Sequence, residues 1–285
     1  MVVRAHSLDA LMPFFAIPFP MIDPVAVNIG PLPLRWYALA YIGGFVFGWF
    51  YLRVLCRRES FWRTGQTRPS PLAVDDLLVY VAFGVIIGGR LGHVLIYDPG
   101  FYFAHPMEIF QTWKGGMAFH GGLIGAIVGM GLFARAQRQS LLTVADLSAV
   151  VAPIGIFLGR VANFIKPEMW GRESDVPWAM VFPAAGDAPR HPSQLYEAGL
   201  EGAALGLILW LAVRAGALKR PGLAAGLFGV GYGLARIFCE FFREPDPVQE
   251  ALANGLTMGM ALSTPMILAG AMLIVVALNR REALA

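Results

Sequence analysis

Charge is scarce in this chain. Asp, Glu, Lys and Arg make up 14% of its 285 residues, where a soluble domain carries about 25%. Lysine is nearly missing: only Lys114, Lys166 and Lys219 stand among the 22 basic residues. Cysteine is scarcer still. Cys56 and Cys239 are too few for a disulfide framework or a four-thiolate metal site. No G-x-S-x-G elbow, Walker loop or H-E-x-x-H pair occurs, so the usual signals of a serine hydrolase, a P-loop enzyme and a zinc peptidase are absent. No cofactor or metal is expected, and no nucleic acid partner. What is left is apolar. Hydrophobic residues reach 57%, with 33 Gly besides, and mean hydropathy is +0.60. That excludes both an ordinary soluble domain and a disordered chain.

A helix crosses the hydrocarbon in about 20 residues. Seven windows fit: Leu34 to Leu55, Val74 to Tyr97, Met117 to Ala136, Val144 to Ile165, Gln194 to Val213, Gly222 to Phe242, and Leu256 to Leu278. The expected fold is an all-α polytopic membrane protein, one domain over 1–285, with a small external head at about 166–193. A cleaved signal peptide is not expected, because Asp9 and the prolines before residue 25 break any apolar core. Leu8 to Phe15 reads as a short amphipathic surface element or a tail. Loop charges orient the bundle. Arg57, Arg58, Arg63, Arg68, Arg135, Arg138, Arg214, Lys219, Arg220, Arg280 and Arg281 fall on one side, against seven basic residues on the other. The richer side is expected to be cytoplasmic, with the N-terminus outside and the C-terminus inside.

Polar groups inside these windows are the next signal, since an unpaired intramembrane Arg costs several kcal/mol. Three stand out: Arg90, Arg160 and Arg236. Arg90 reads either as a functional group or as a brace on helix carbonyls. In the sixth window Tyr232, Arg236, Glu240 and Arg243 recur at helical spacing and share a face. Two Arg against one Glu imply a positive surplus suited to an anion. Arg160 and Asn163 share a face of the fourth window, with Glu168 beyond it. His120 sits in a run of small residues, Gly115-Gly116-Met117-Ala118-Phe119-His120-Gly121-Gly122. Histidine cycles protons near neutral pH, although a structural hydrogen bond would equally explain one. Cys239 lies beside Glu240, which disfavours a thiolate. The set reads as an anion holder with a proton acceptor.

These residues carry a family resemblance. Gly159-Arg160-Val161-Ala162-Asn163-Phe164 through Glu168 and Gly171 resembles the signature of the prolipoprotein diacylglyceryl transferases. Phe119-His120-Gly121-Gly122-Leu123, Arg190-His191-Pro192-Ser193-Gln194-Leu195-Tyr196-Glu197, Glu240-Phe241-Phe242-Arg243-Glu244-Pro245-Asp246 and Arg35-Trp36-Tyr37 are similar to further family motifs, in the family's order. Lys166 and Pro167 depart from it, standing where the signature usually has Asn and often Gly.

The resemblance implies a seven-span inner-membrane enzyme whose site opens to the periplasm. It implies transfer of the diacylglyceryl group of phosphatidylglycerol to the lipobox cysteine of a prolipoprotein signal peptide, releasing glycerol phosphate. Membrane lipids would surround it. His120, Arg160, Arg236, Tyr37 and Asn163 would be catalytic. Substrate binding would add Glu168, Gly171, Tyr232, Glu240, Arg243, His191 and Lys166, with Glu168, Glu240 and Arg243 holding the arginines. A lipid transporter and a non-catalytic lipid-binding scaffold are the rival readings. The first calls for polar residues continuing to the cytoplasmic side; the second has no need of His120.

Overall fold

The structure is a computed structural model that describes residues 16–244 and 256–279. Leu8 to Phe15 and Pro245-Asp246 lie outside the described residues. Among those described, seven helical stretches are long and apolar enough to cross a membrane: Trp36–Arg57, Ala73–Ile96, Phe119–Ala136, Leu141–Ile165, Ser193–Arg214, Leu223–Glu240 and Met258–Asn279. Each overlaps its expected window to within a few residues. The protein is a polytopic, all-α membrane protein. Side chains such as Phe45, Phe83, Ile124 and Met272 point outward, as lipid contact allows.

We label the helices α1 (Trp36–Arg57), α2 (Ala73–Ile96), α3 (Pro99–Ala104), α4 (Phe119–Ala136), α5 (Leu141–Ile165), α6 (Ser193–Glu197), α7 (Leu205–Arg214), α8 (Leu223–Glu240) and α9 (Met258–Asn279). Between α6 and α7, Ala198–Ala204 winds as a π-helix, a widened turn that often marks functional helices. Four short strands accompany them: β1 (Ile17–Pro18), β2 (Val25–Ile29), β3 (Leu32–Arg35) and β4 (Met180–Val181).

The chain divides into two compact units, and the division falls inside α1, α5, α7, α8 and α9. One unit comprises the stretch up to Val46, Ala152–Leu209 and Leu227–Met272. It contains the expected head. There β1 pairs in parallel with β4, and Phe19, Phe164 and Phe182 form a small buried core with Trp170 against it. The antiparallel β2–β3 hairpin turns at Gly30, whose φ of +60° suits a residue without Cβ. It leads directly into α1.

The other unit comprises Phe47–Val151, Trp210–Gly226 and the stretch from Leu273. Here α2 and α4 touch backbone to backbone. Gly84, Gly88 and Gly92 face Gly121 and Gly125, Gly129 faces the Tyr80 carbonyl, and a Cβ on Gly88 would lie 2.8 Å from the Gly125 Cα. Small residues permit such approach in membranes, where van der Waals packing drives association. Along the same two helices runs an apolar cavity of about 710 Å³ that includes Phe83, Ile87, Leu91, Ile124 and, at one end, His120. Asp146 of α5 accepts the Gly222 and Ala225 amides at 2.7 and 2.8 Å, satisfying the start of α8.

Candidate functional site

Three arginines and three glutamates meet inside the first unit. α5 supplies Arg160, α8 supplies Arg236 and Glu240, and the turn after α8 supplies Arg243. The end of α6 and the π-helix supply Glu197 and Glu201. Glu197 is the hub. Its Oε1 lies 2.5 Å from Arg236 and 3.5 Å from Arg243, and its Oε2 lies 3.2 Å from Arg160. Arg160 and Arg236 therefore converge on one carboxylate from two separate helices. Glu240 holds Arg236 from the other side at 2.8 Å. Glu201 stands farther off, 3.7 Å from Arg160 and 3.9 Å from Arg236. Both Glu197 and Glu201 have no exposed surface.

The expected positive surplus is corrected here. Glu197 and Glu201 bring the carboxylates into balance with the guanidiniums, because burying uncompensated charge in a low-dielectric interior is too costly. The balance is electrostatic and leaves hydrogen bonding incomplete. Glu197 Oε2, both Glu201 oxygens and Glu240 Oε2 are buried, and among the described residues none accepts an aligned hydrogen bond. Arg160 spends one nitrogen only on the Met169 sulfur, at 3.8 Å. Donors and acceptors in this cluster thus keep unused valence, in a place where such groups are usually saturated.

Beside the cluster, the loop after α5 is tied down residue by residue. Asn163 donates to Glu168 Oε1 at 2.8 Å, and Lys166 pairs with Glu168 Oε2 at 2.6 Å. Glu168 therefore holds Asn163 and Lys166, not an arginine as expected. Its reach is five residues back along a helix that ends at Ile165, which points it at the helix's own last turn. Lys166 also lies 6.0 Å from the Tyr37 ring, and Tyr37 Oη is 3.3 Å from Tyr41 Oη. Gln194 and Ser193, both fully buried, bond the Glu168 and Met169 carbonyls. Gly171 is enclosed: a Cβ there would meet the His191 carbonyl at 2.6 Å and also the Phe242 carbonyl. Arg190 clamps the same region through Glu173, Glu244 and the Gly171 carbonyl.

His191 and Arg243 lie outside the spans. Burial lowers the His191 pKa. Burial and then the Arg236 guanidinium lower that of Arg243, which still stays charged at neutral pH. His191 Nδ1 lies 3.0 Å from Tyr196 Oη, which accepts the Trp178 indole N–H at 2.6 Å. Tyr232, half-buried on α8, stacks on Phe228.

His120 belongs to the second unit, at the start of α4. It is exposed and sits edge-on to Phe119. In that unit Arg90 proves to be a brace. Its Nε donates to the Ile109 carbonyl at 2.7 Å and its NH2 to that of Glu108 at 2.6 Å. NH1 serves the Gly115 and Gly116 carbonyls at 2.7 and 3.0 Å. These are loop carbonyls, on the segment leading into α4. Reading Arg alone as the costly group missed Glu197 and Glu201. The same energetic rule applies to an acid in an apolar window, and their four-residue spacing puts them on one face.

Comparison with known proteins gives the family. The family model described as prolipoprotein diacylglyceryl transferase matches residues 24–276. A phosphatidylglycerol–prolipoprotein diacylglyceryl transferase of Methylocella silvestris is 62% identical over 94% of this chain and 98% of its own. One of Beijerinckia indica is 58% identical over 93% and 96%. One of Rhodopseudomonas palustris is 55% identical over 94% of each.

Proposed function

This chain belongs to the prolipoprotein diacylglyceryl transferase family, and on that premise we propose how its residues perform the transfer. The enzyme moves the diacylglyceryl group of phosphatidylglycerol to the lipobox cysteine of a prolipoprotein signal peptide. A thioether forms between sulfur and the glyceryl carbon. The bond from that carbon to the phosphate oxygen breaks, and glycerol phosphate leaves with the electron pair.

The observation that carries this reading is the convergence of Arg160 and Arg236 on Glu197. Negative charge grows on the phosphate as the leaving group departs. Guanidiniums already gathered around one point can turn unused donors to that charge, and they stabilise it more strongly outside bulk water. Glu197 and Glu240 hold those guanidiniums in register, and Arg243 shares Glu197. The substrate thiol has an ordinary pKa of about 8.5 and must lose its proton to attack. His120 takes that proton. Its role rests on the motif and on imidazole chemistry. Asn163, fixed by Glu168, and Tyr37, beside Lys166, orient the headgroup and the peptide. Lys166 meets the lipid anion at the rim. Tyr232 walls the Arg face of α8. Gly171 leaves room where any side chain would strike His191.

The site opens to the periplasm and the protein lies in the inner membrane, N-terminus outside and C-terminus cytoplasmic. Asn163 stands near the end of α5, Glu197 near the start of the next span, Glu240 at the end of α8 and Tyr37 at the start of α1. Alternation of the spans along the sequence supports one side for all four, and the loop-Arg count supports the periplasmic side.

The test is mass gain of a lipobox peptide incubated with phosphatidylglycerol and the purified protein. Thioether formation that is lost in a folded His120→Ala/Arg160→Ala/Arg236→Ala variant is the expected result. A folded triple variant that still makes thioether ends the mechanism. Lipid binding without transfer by the native chain would favour the scaffold reading.

A further inference from the structure

Glu240 is wedged against a residue that has no side chain. Gly259 is the second residue of α9, after Thr257, whose Oγ1 accepts the Met260 amide at 3.3 Å. A Cβ at Gly259 would lie 2.7 Å from Glu240 Oε2, 2.9 Å from its Cδ and 3.1 Å from Oε1. All three atoms of the carboxylate thus press on one face of this glycine. To make room, the carboxylate has to move relative to Arg236. It is 6% exposed, and Oε2 is the oxygen that holds Arg236 at 2.8 Å. Ser263 fastens the same turn by bonding the Gly259 carbonyl at 2.7 Å. A methyl group at this position has to displace the carboxylate, and the displaced carboxylate has to release or drag Arg236.

We propose that Gly259 is a positioning residue for the transfer: the bare backbone of α9 sets where Glu240 stands, and through Glu240 the aim of Arg236. The inference rests on the anion-holding role given to Arg236 above. It concerns a residue that touches no substrate and that composition or spacing alone would class as a helix-packing glycine.

The experiment is a two-residue cycle in the peptide-lipidation assay. Gly259→Ala should lower kcat/KM by at least about tenfold, the scale of losing one charge-assisted bond. The loss should appear in kcat and in KM for phosphatidylglycerol, not in KM for the peptide. Glu240→Asp shortens the carboxylate arm by one methylene and makes room for the methyl. The double variant Gly259→Ala/Glu240→Asp should therefore exceed Gly259→Ala in kcat/KM, a coupling that a packing defect would not produce. Gly131→Ala on α4, where a Cβ meets nothing within 4 Å, should match the native chain. Full activity in Gly259→Ala overturns the proposal. So does a double variant as impaired as the two losses multiplied. If Gly259→Ala fails to fold, the comparison moves to the Glu240→Asp background, where adding the methyl should cost nothing; a further loss there overturns it too. A native chain that forms no thioether refutes the function itself, an outcome separate from any of these.

Discussion

Arg90 and Arg236 pose the same problem at the level of sequence and receive opposite solutions. Both are guanidiniums in apolar windows. Arg90 is 6% exposed and spends its donors on four backbone carbonyls of one loop. Carbonyls are fixed and neutral, so nothing in that arrangement is free to trade partners. Arg236 faces Glu197, Glu201 and Glu240 instead, and several of those carboxylate oxygens accept no aligned bond. A saturated shell is a brace. An ionic shell with unused valence can exchange a carboxylate for a phosphate at little cost. On the proposed function, the kind of partner, more than the depth of burial, separates a structural arginine from a working one.

The strongest way to break this contrast is to delete the working guanidiniums. Arg236→Ala and Arg160→Ala should each lower thioether formation by about 10²–10³-fold, as loss of one preorganised donor does. Arg236→Ala should also lower the thermal midpoint, because Glu240 is left buried without its partner. Next comes the hub. Glu197→Gln keeps the shape but removes the charge that three arginines share, at about 1.5–3 kcal/mol per charged bond. That corresponds to about ten- to hundredfold in kcat/KM. Glu201→Gln should cost less, since its nearest guanidiniums stand at 3.7 and 3.9 Å. If the two substitutions cost the same, the hub is misidentified. Arg90→Met should reverse the pattern. Orphaned carbonyls at about 1–3 kcal/mol each should depress the melting temperature, while the turnover of the folded fraction stays within a few-fold of native.

Much of this was legible without coordinates, and the limits have physical causes. The spans are set by hydrophobic length, which is local, so all seven windows overlap the helices. Arg236 and Glu240 were readable as a pair because a four-residue spacing fixes their proximity within one helix. What links Arg160 to Arg236 is Glu197, and its position depends on how three helices pack, which no spacing encodes. Glu201 escapes a reading that weighs buried cations alone, because a buried anion carries the same cost. The role of Arg90 was open, since a donor set that ends on loop carbonyls depends on the path of the loop at 106–116. Gly259 could not be read at all. The observation behind the proposal made for it is that a Cβ there would lie 2.7 Å from a carboxylate on another helix.

The smallest expected effect divides the two regions by pH. Tyr196 Oη accepts a hydrogen bond from Trp178 and lies 3.0 Å from His191 Nδ1, and burial of the ring favours the arrangement in which the Tyr196 hydrogen points at that nitrogen. That bond requires a neutral imidazole with its proton on Nε2; protonation would set hydrogen against hydrogen. Burial acts in the same direction and lowers the His191 pKa below its ordinary value of about 6.5. As pH falls through that value, the unfolded chain takes up the proton before the folded one does. Folded-state stability is then complete above about 6.5 and declines below it. The thermal midpoint of the native chain should therefore drop as pH falls below about 6.5. His191→Gln, which cannot titrate, should flatten that slope. Arg90→Met should keep it, displaced to lower temperature, because the carbonyls around Arg90 carry no proton to exchange. If the slope instead survives in His191→Gln and disappears in Arg90→Met, the titrating group lies with the brace, and the neutral Trp178–Tyr196–His191 chain has been read with the wrong tautomer.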